Sequence, residues 1–131
     1  MPNDLHGIAR CPVSINLKPS SRVAPEDIQS ETDLKASGAF KVLHEAMPRL
    51  RKANGSSIVF YLAVAVQIGF KLHTMISSTK GAVEGQARAL ATELPPKVRV
   101  NFIAASLTDT PLPKTCSIPT KNMRQMPTII H

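Results

Sequence analysis

The sequence predicts an α/β fold: a parallel sheet of about three strands, two main helices and an irregular C-terminal tail. Three observations carry that reading. Short β-branched segments and longer amphipathic ones follow one another in the order strand, helix, strand, helix, strand. The central strand segment is apolar at nearly every position, as in parallel sheets covered by helices, rather than alternating with polar residues. Two right-handed crossovers over such an order build half of a doubly wound domain, and 131 residues suit one domain rather than two.

Leu5 to Val13 (LHGIARCPV) reads as the first strand, closed by Pro12 and a polar loop, SINLKPSSRVAPED. Gly38 to Lys52 (GAFKVLHEAMPRLRK) repeats Phe40, Leu43, Met47 and Leu50 at three- and four-residue steps, which predicts an amphipathic helix. Pro48 removes a hydrogen bond and should kink it, while Arg49, Arg51 and Lys52 suit the negative end of the helix dipole. Asn54-Gly55 then turns the chain into Ser57 to Val66 (SIVFYLAVAV), the second strand. From Thr74 to Leu94 a second helix carries Ile76, Val83, Ala87, Leu90 and Leu94 along one stripe, and Pro95-Pro96 ends it. Gly81 and Gly85 leave room for a close neighbour. Val98 to Ala104 (VRVNFIA) is the third strand, and after Leu112 no usable periodicity remains.

Composition narrows the function classes. Lysine and arginine exceed aspartate and glutamate by 16 to 9, a formal charge of +7. The basic residues are nevertheless scattered, and with no tryptophan and one tyrosine the stacking surface of a single-strand binder is poorly supplied, so nucleic acid is disfavoured as a partner. Cys11 and Cys116 lie far apart, and His6, His44, His73 and His131 form no ligand spacing, so neither a disulfide framework nor a metal site is expected. The N-terminus lacks the basic-then-apolar pattern of a signal peptide, and the apolar run from Ile58 to Phe70 is too short to span a bilayer. A cytoplasmic protein with no membrane partner is the expectation.

The stretch HTMISSTKGAVEGQARALATELPPKVRVNFIAASLTDTPL, from His73 to Leu112, resembles the short-chain dehydrogenase/reductase family, as does GAFKVLHEAMPRLRKANGSSIVF before it. The combination of KGAVEG, RVNFIA and DTPL is specific, and the likeness runs from Leu5 to Leu112. The resemblance implies a Rossmann sheet, NAD or NADP as cofactor, and hydride transfer between alcohols and ketones. It also implies that residues 1–112 are the C-terminal portion of such a domain, a truncated homologue lacking the cofactor-binding half, with 113–131 an irregular tail. The glycine-rich phosphate loop of that family has no counterpart among Gly7, Gly38, Gly55, Gly69, Gly81 and Gly85.

Against the family pattern, the reactive positions have changed. Lys80 matches the catalytic lysine, but the tyrosine position four residues earlier is Ile76, the serine position is Ala63, and the helix asparagine aligns with Lys35. An isoleucine exchanges no proton and an alanine polarises no carbonyl. The family's NNAG turn corresponds to Arg10-Cys11-Pro12-Val13, and its PG pair to Ala105-Ser106. Lys80 and Thr110 are the remaining candidate cofactor contacts.

Each candidate has a bland reading beside the sharp one. Lys80 is either a cofactor-ribose contact or, in preference without its partners, a solvated lysine on a helix flank, and Thr110 is equally a carboxamide contact or simply a turn cap. Tyr61, in an apolar strand, is expected to pack rather than to donate protons. Ser77 and Ser78 lack a histidine-carboxylate pair and suit a helix surface, Cys11 a small buried hydrophobe, and Cys116 an incidental thiol. By resemblance the Gly81 to Gly85 helix packs against a two-fold mate, so a homo-oligomer or a complex with a full-length relative is expected, as is an unpaired sheet edge at the first strand. The function expected is that of an oxidoreductase-lineage protein inactive alone; the alternative is a non-enzymatic oligomerisation module pairing through its two helices.

Overall fold

The computed structural model describes residues 3–53 and 55–106. Three parallel strands form one sheet in the order β1-β2-β3: β1 is Gly7–Arg10, β2 Ser56–Ala63 and β3 Val98–Ala105. The helices are α1 (Pro25–Thr32), α2 (Gly38–Lys52), α3 (Ala65–Ile68) and α4 (Thr74–Glu93), and a π-helical segment, Asp33–Ser37, joins α1 to α2. Strand order and direction agree with the expectation, as do both main helices. The first strand is shorter than predicted, ending before Pro12, which has no N–H to give a ladder.

The crossovers lay α2 and α4 on one face of the sheet. Ile58, Phe60 and Leu62 of β2 point into that layer and meet Ala39, Leu43, Ala46 and Leu50 of α2 and Val83 and Ala87 of α4. The opposite face, with Val59, Tyr61, Arg99, Asn101 and Ile103, carries no helix among the described residues. This alternation in burial along β2 and β3 differs from a strand buried on both sides, although β2 is apolar or aromatic from Ile58 to Ala63.

Several expectations are corrected. Phe40 does not belong to the buried stripe of α2; it is 59% exposed, and the stripe runs through Ala39, Leu43, Ala46 and Leu50 instead. Alanine is weakly apolar, so a search for large side chains sets the helix face one residue off. Tyr61 is partly exposed on the uncovered sheet face rather than packed, because β2 turns its odd-numbered residues away from the helices. Cys11 is exposed, since it follows the last paired residue of β1. Gly81 does sit beside α3, where a Cβ would touch Val66, but Gly85 faces open space.

The loop predicted after β1 contains the start of α1. Pro25 stands at its first turn with Glu26 and Asp27, and the Asp27 carboxylate accepts the Ala24 N–H at 3.0 Å. At its other end the chain widens into the π segment rather than stopping. Gly55, just before β2, and Gly69, the C-cap of α3, have φ of +102° and +64°, where an L side chain would be strained.

Candidate functional site

The charged groups that sequence reasoning treated separately meet at the carboxyl end of β1 and β2, where open α/β sheets place their ligands. Arg10 is the last residue of β1, Lys35 lies in the π segment, Glu31 in the last turn of α1, and Lys80 in the second turn of α4. Lys35 is buried, and its ammonium is paired with the Glu31 carboxylate one helical turn away. Ser14 Oγ donates to the same carboxylate oxygen at 2.7 Å. The Arg10 guanidinium donates through one Nη to the carbonyls of Leu34 (2.7 Å) and Lys35 (3.4 Å), while its buried Nε has no partner among the described residues.

Lys80 is not the solvated lysine that was favoured from sequence. It is buried, and its Nζ donates to the carbonyls of Tyr61 (2.5 Å) and Pro12 (3.3 Å). Burial pushes its ammonium down to about 8, with the charges of Lys35 and Arg10 adding to the effect against weaker support from Cys11 and Glu31. The cluster thus holds three cations and one carboxylate, and that carboxylate is already engaged.

The family's tyrosine and serine positions beside Lys80 carry no proton-handling side chain. Ile76, one turn earlier on α4, is buried, and Ala63 ends β2. Ser77 and Ser78 donate to the carbonyls of Ala65 and Thr74, consistent with structural roles. Thr110, Cys116 and the tail from 113 to 131 lie outside the described residues. Glu31 and Arg10 were missed as site residues; the i, i+4 spacing of Glu31 and Lys35 was the available signal. A cleft of about 530 Å³ elsewhere, between α4 and β3, is lined by Ala87, Arg88, Ala91, Thr92, Val100, Asn101 and Phe102, and Arg88 there is tied to Glu84 and lies over the Phe102 ring. Among the described residues no group of His, Cys, Asp and Glu could hold a metal, and no helix is long and apolar enough to cross a membrane.

Comparison with known proteins places these features in a lineage. A family model described as Enoyl-(Acyl carrier protein) reductase matches residues 5–127. The 1,2-dihydroxy-1,2-dihydronaphthalene dehydrogenase of Pseudomonas sp. (strain C18) is 34% identical over 99 residues, covering 74% of this chain and 38% of that protein. A short-chain type dehydrogenase/reductase from Mycobacterium ulcerans superposes with a TM-score of 0.73 at 30% identity, over 79% of this chain and 38% of that one. The 3-ketoacyl-(acyl-carrier-protein) reductase from Brucella melitensis, solved with NADH, gives a TM-score of 0.79 at 19% identity, over 86% of this chain and 49% of that one, a likeness of fold alone. The chain spans less than half the length of each of these relatives. With the Rossmann-like sheet and the matched segment extending over most of its residues, this chain belongs to the short-chain dehydrogenase/reductase family.

Proposed function

We propose that this chain is an oxidoreductase-lineage protein that does not transfer hydride by itself. The observation that carries the reading is the surroundings of Lys80: its ammonium is spent on two main-chain carbonyls, and the flanking family positions are Ile76 and Ala63, which can neither move a proton nor polarise a carbonyl. Lys35, at the family's asparagine position, is locked against Glu31 rather than open to water.

The same residues do not fit NAD or NADP. No glycine stands between a strand and the helix after it, so no close backbone approach to a pyrophosphate is built at a helix start. Val13, where the family's turn glycine would be, lies outside the left-handed backbone region. Titration of the full chain with NADH and with NADPH, followed by nucleotide fluorescence, is expected to show no saturable binding. A dissociation constant in the micromolar range would overturn the reading.

A second reading, a non-enzymatic association module pairing through α2 and α4, draws support from the apolar side chains that α2 leaves in solvent: Phe40 is 59% and Val42 43% exposed. Its partner would be a second copy or a full-length relative.

A further inference from the structure

The sheet has two open edges among the described residues, and they are unlike. β1 offers four residues, is followed closely by Pro12, and commits the Arg10 side chain to the π segment. So short an edge extends a ladder poorly. β3 offers eight residues without proline or glycine, in unbroken register with β2 from Val98 to Ala105. The direction of its peptide groups follows from that ladder. In a parallel pair each residue turns its N–H and C=O to one side, and successive residues turn to opposite sides. The Ala105 carbonyl accepts the Val64 N–H at 3.0 Å, so Arg99, Asn101, Ile103 and Ala105 bond toward β2. Val100, Phe102 and Ala104 therefore direct their N–H and C=O groups outward, where no strand among the described residues receives them.

The cleft of about 530 Å³ between α4 and β3 adds side-chain space to that edge. Val100 and Phe102 line it together with Ala87 and Ala91 of α4. A strand laid along β3 finds main-chain partners at the edge and room in the cleft for every second side chain. Charge then selects the occupant. The three strands hold Arg10 and Arg99 and no acid. Arg99 is exposed on the sheet face without helices, exposed Lys97 precedes it, and Arg88 at the cleft, paired with Glu84, is still 62% exposed. A second copy of β3 would set Arg99 and Lys97 beside their own kind. Residues 107–131 include Pro111, Pro113, Pro119 and Pro127, which have no N–H to give, and Lys114, Lys121 and Arg124 against one acid, Asp109.

We propose that the open edge of β3 and its cleft receive an extended segment of another polypeptide, in which apolar residues alternate with acidic ones. The segment bonds to the outward groups of Val100, Phe102 and Ala104. Its apolar side chains enter the cleft against Ala87 and Ala91, and its acidic ones lie beside Arg99 on the opposite face of the sheet. The contact involves neither Lys80 nor a dinucleotide.

The test uses the full chain and a labelled synthetic peptide of about seven residues alternating valine and glutamate, with a valine and lysine peptide as its counterpart. Fluorescence anisotropy is expected to show saturable binding of the glutamate peptide, and at least about tenfold weaker binding of the lysine peptide. Amide hydrogen exchange locates the contact. Val100, Phe102 and Ala104 should slow when the peptide binds, while Arg99, Asn101 and Ile103, already bonded to β2, should change little. Ala104→Pro removes an outward N–H and leaves the β2 ladder intact, so it should weaken the glutamate peptide at least about tenfold. Arg99→Glu should invert the preference between the two peptides, and it decides the matter if Ala104→Pro does not fold. Absence of saturable binding, equal affinity for the two peptides, or unchanged affinity in a folded Ala104→Pro would overturn the proposal. So would slow exchange at Val100, Phe102 and Ala104 before any peptide is added, which would put residues 107–131 or a second copy on the edge.

Discussion

A lysine ammonium withdrawn from water needs acceptors, and Lys35 and Lys80 find them differently. Lys35 has a carboxylate, so its charge is compensated inside the fold, and removing either half of that pair would leave a buried ion alone. Lys80 donates to main-chain carbonyls alone, and burial, with Lys35 and Arg10 opposing its charge, outweighs the support of Cys11 and Glu31. A stability dependence on pH follows. The folded chain releases the Lys80 proton near 8, whereas the unfolded lysine holds it to about 10.5, so between these values the unfolded state binds more protons and stability rises with pH. Below about 8 both states are protonated, and the contribution is flat. Urea midpoints measured from neutral pH to about pH 10 should therefore climb more steeply for wild type than for Lys80→Met. Parallel curves for the two proteins would show that this amine is not perturbed by folding.

Among the elements, the junction of the π segment with α2 depends on a missing side chain. A Cβ on Gly38 would run into the Arg10 guanidinium and come within 3.1 Å of the Asp33 carbonyl. Arg10 holds two carbonyls of that same turn, so it cannot withdraw without giving up those bonds. Gly85 is the opposite case: it lies within α4, exposed, with nothing near its would-be Cβ. Gly85→Ala is expected to stabilise by about 0.5–1 kcal/mol through helix propensity alone. Gly38→Ala should destabilise by about 1–2 kcal/mol, because the lost hydrogen bonds of a charged group outweigh the same gain. Chemical denaturation of the two variants gives the comparison, and equal effects would mean that Arg10 moves freely.

At the scale of the whole molecule, the two layers leave one sheet face and part of α2 without cover among the described residues. Pairing through the helices predicts that apparent mass in sedimentation rises with concentration, and that Phe40→Glu lowers it while Ile103→Glu, on the uncovered sheet face, does not. Loss of association with Ile103→Glu instead would transfer the contact to the sheet. Both side chains are exposed, so neither substitution disturbs the layer between helices and strands.

Much of this architecture was legible in the chain of residues. The branched runs of β2 and β3 and the helical spacing of Leu43, Leu50, Val83 and Ala87 are local patterns, and parallel pairing follows from their order. The changed family positions Ala63 and Ile76 were equally readable, since chemistry absent from a side chain needs no coordinates. What sequence could not reveal is where separate charges meet. Lys80 read as solvated because its helix offers no partner, and only the folding of β1, α1 and the π segment against α4 buries it with Arg10, Lys35 and Glu31. Local patterns reflect short-range sterics and burial, whereas the state of a buried ion depends on groups brought close from distant parts of the chain, and that distance is set by the tertiary structure.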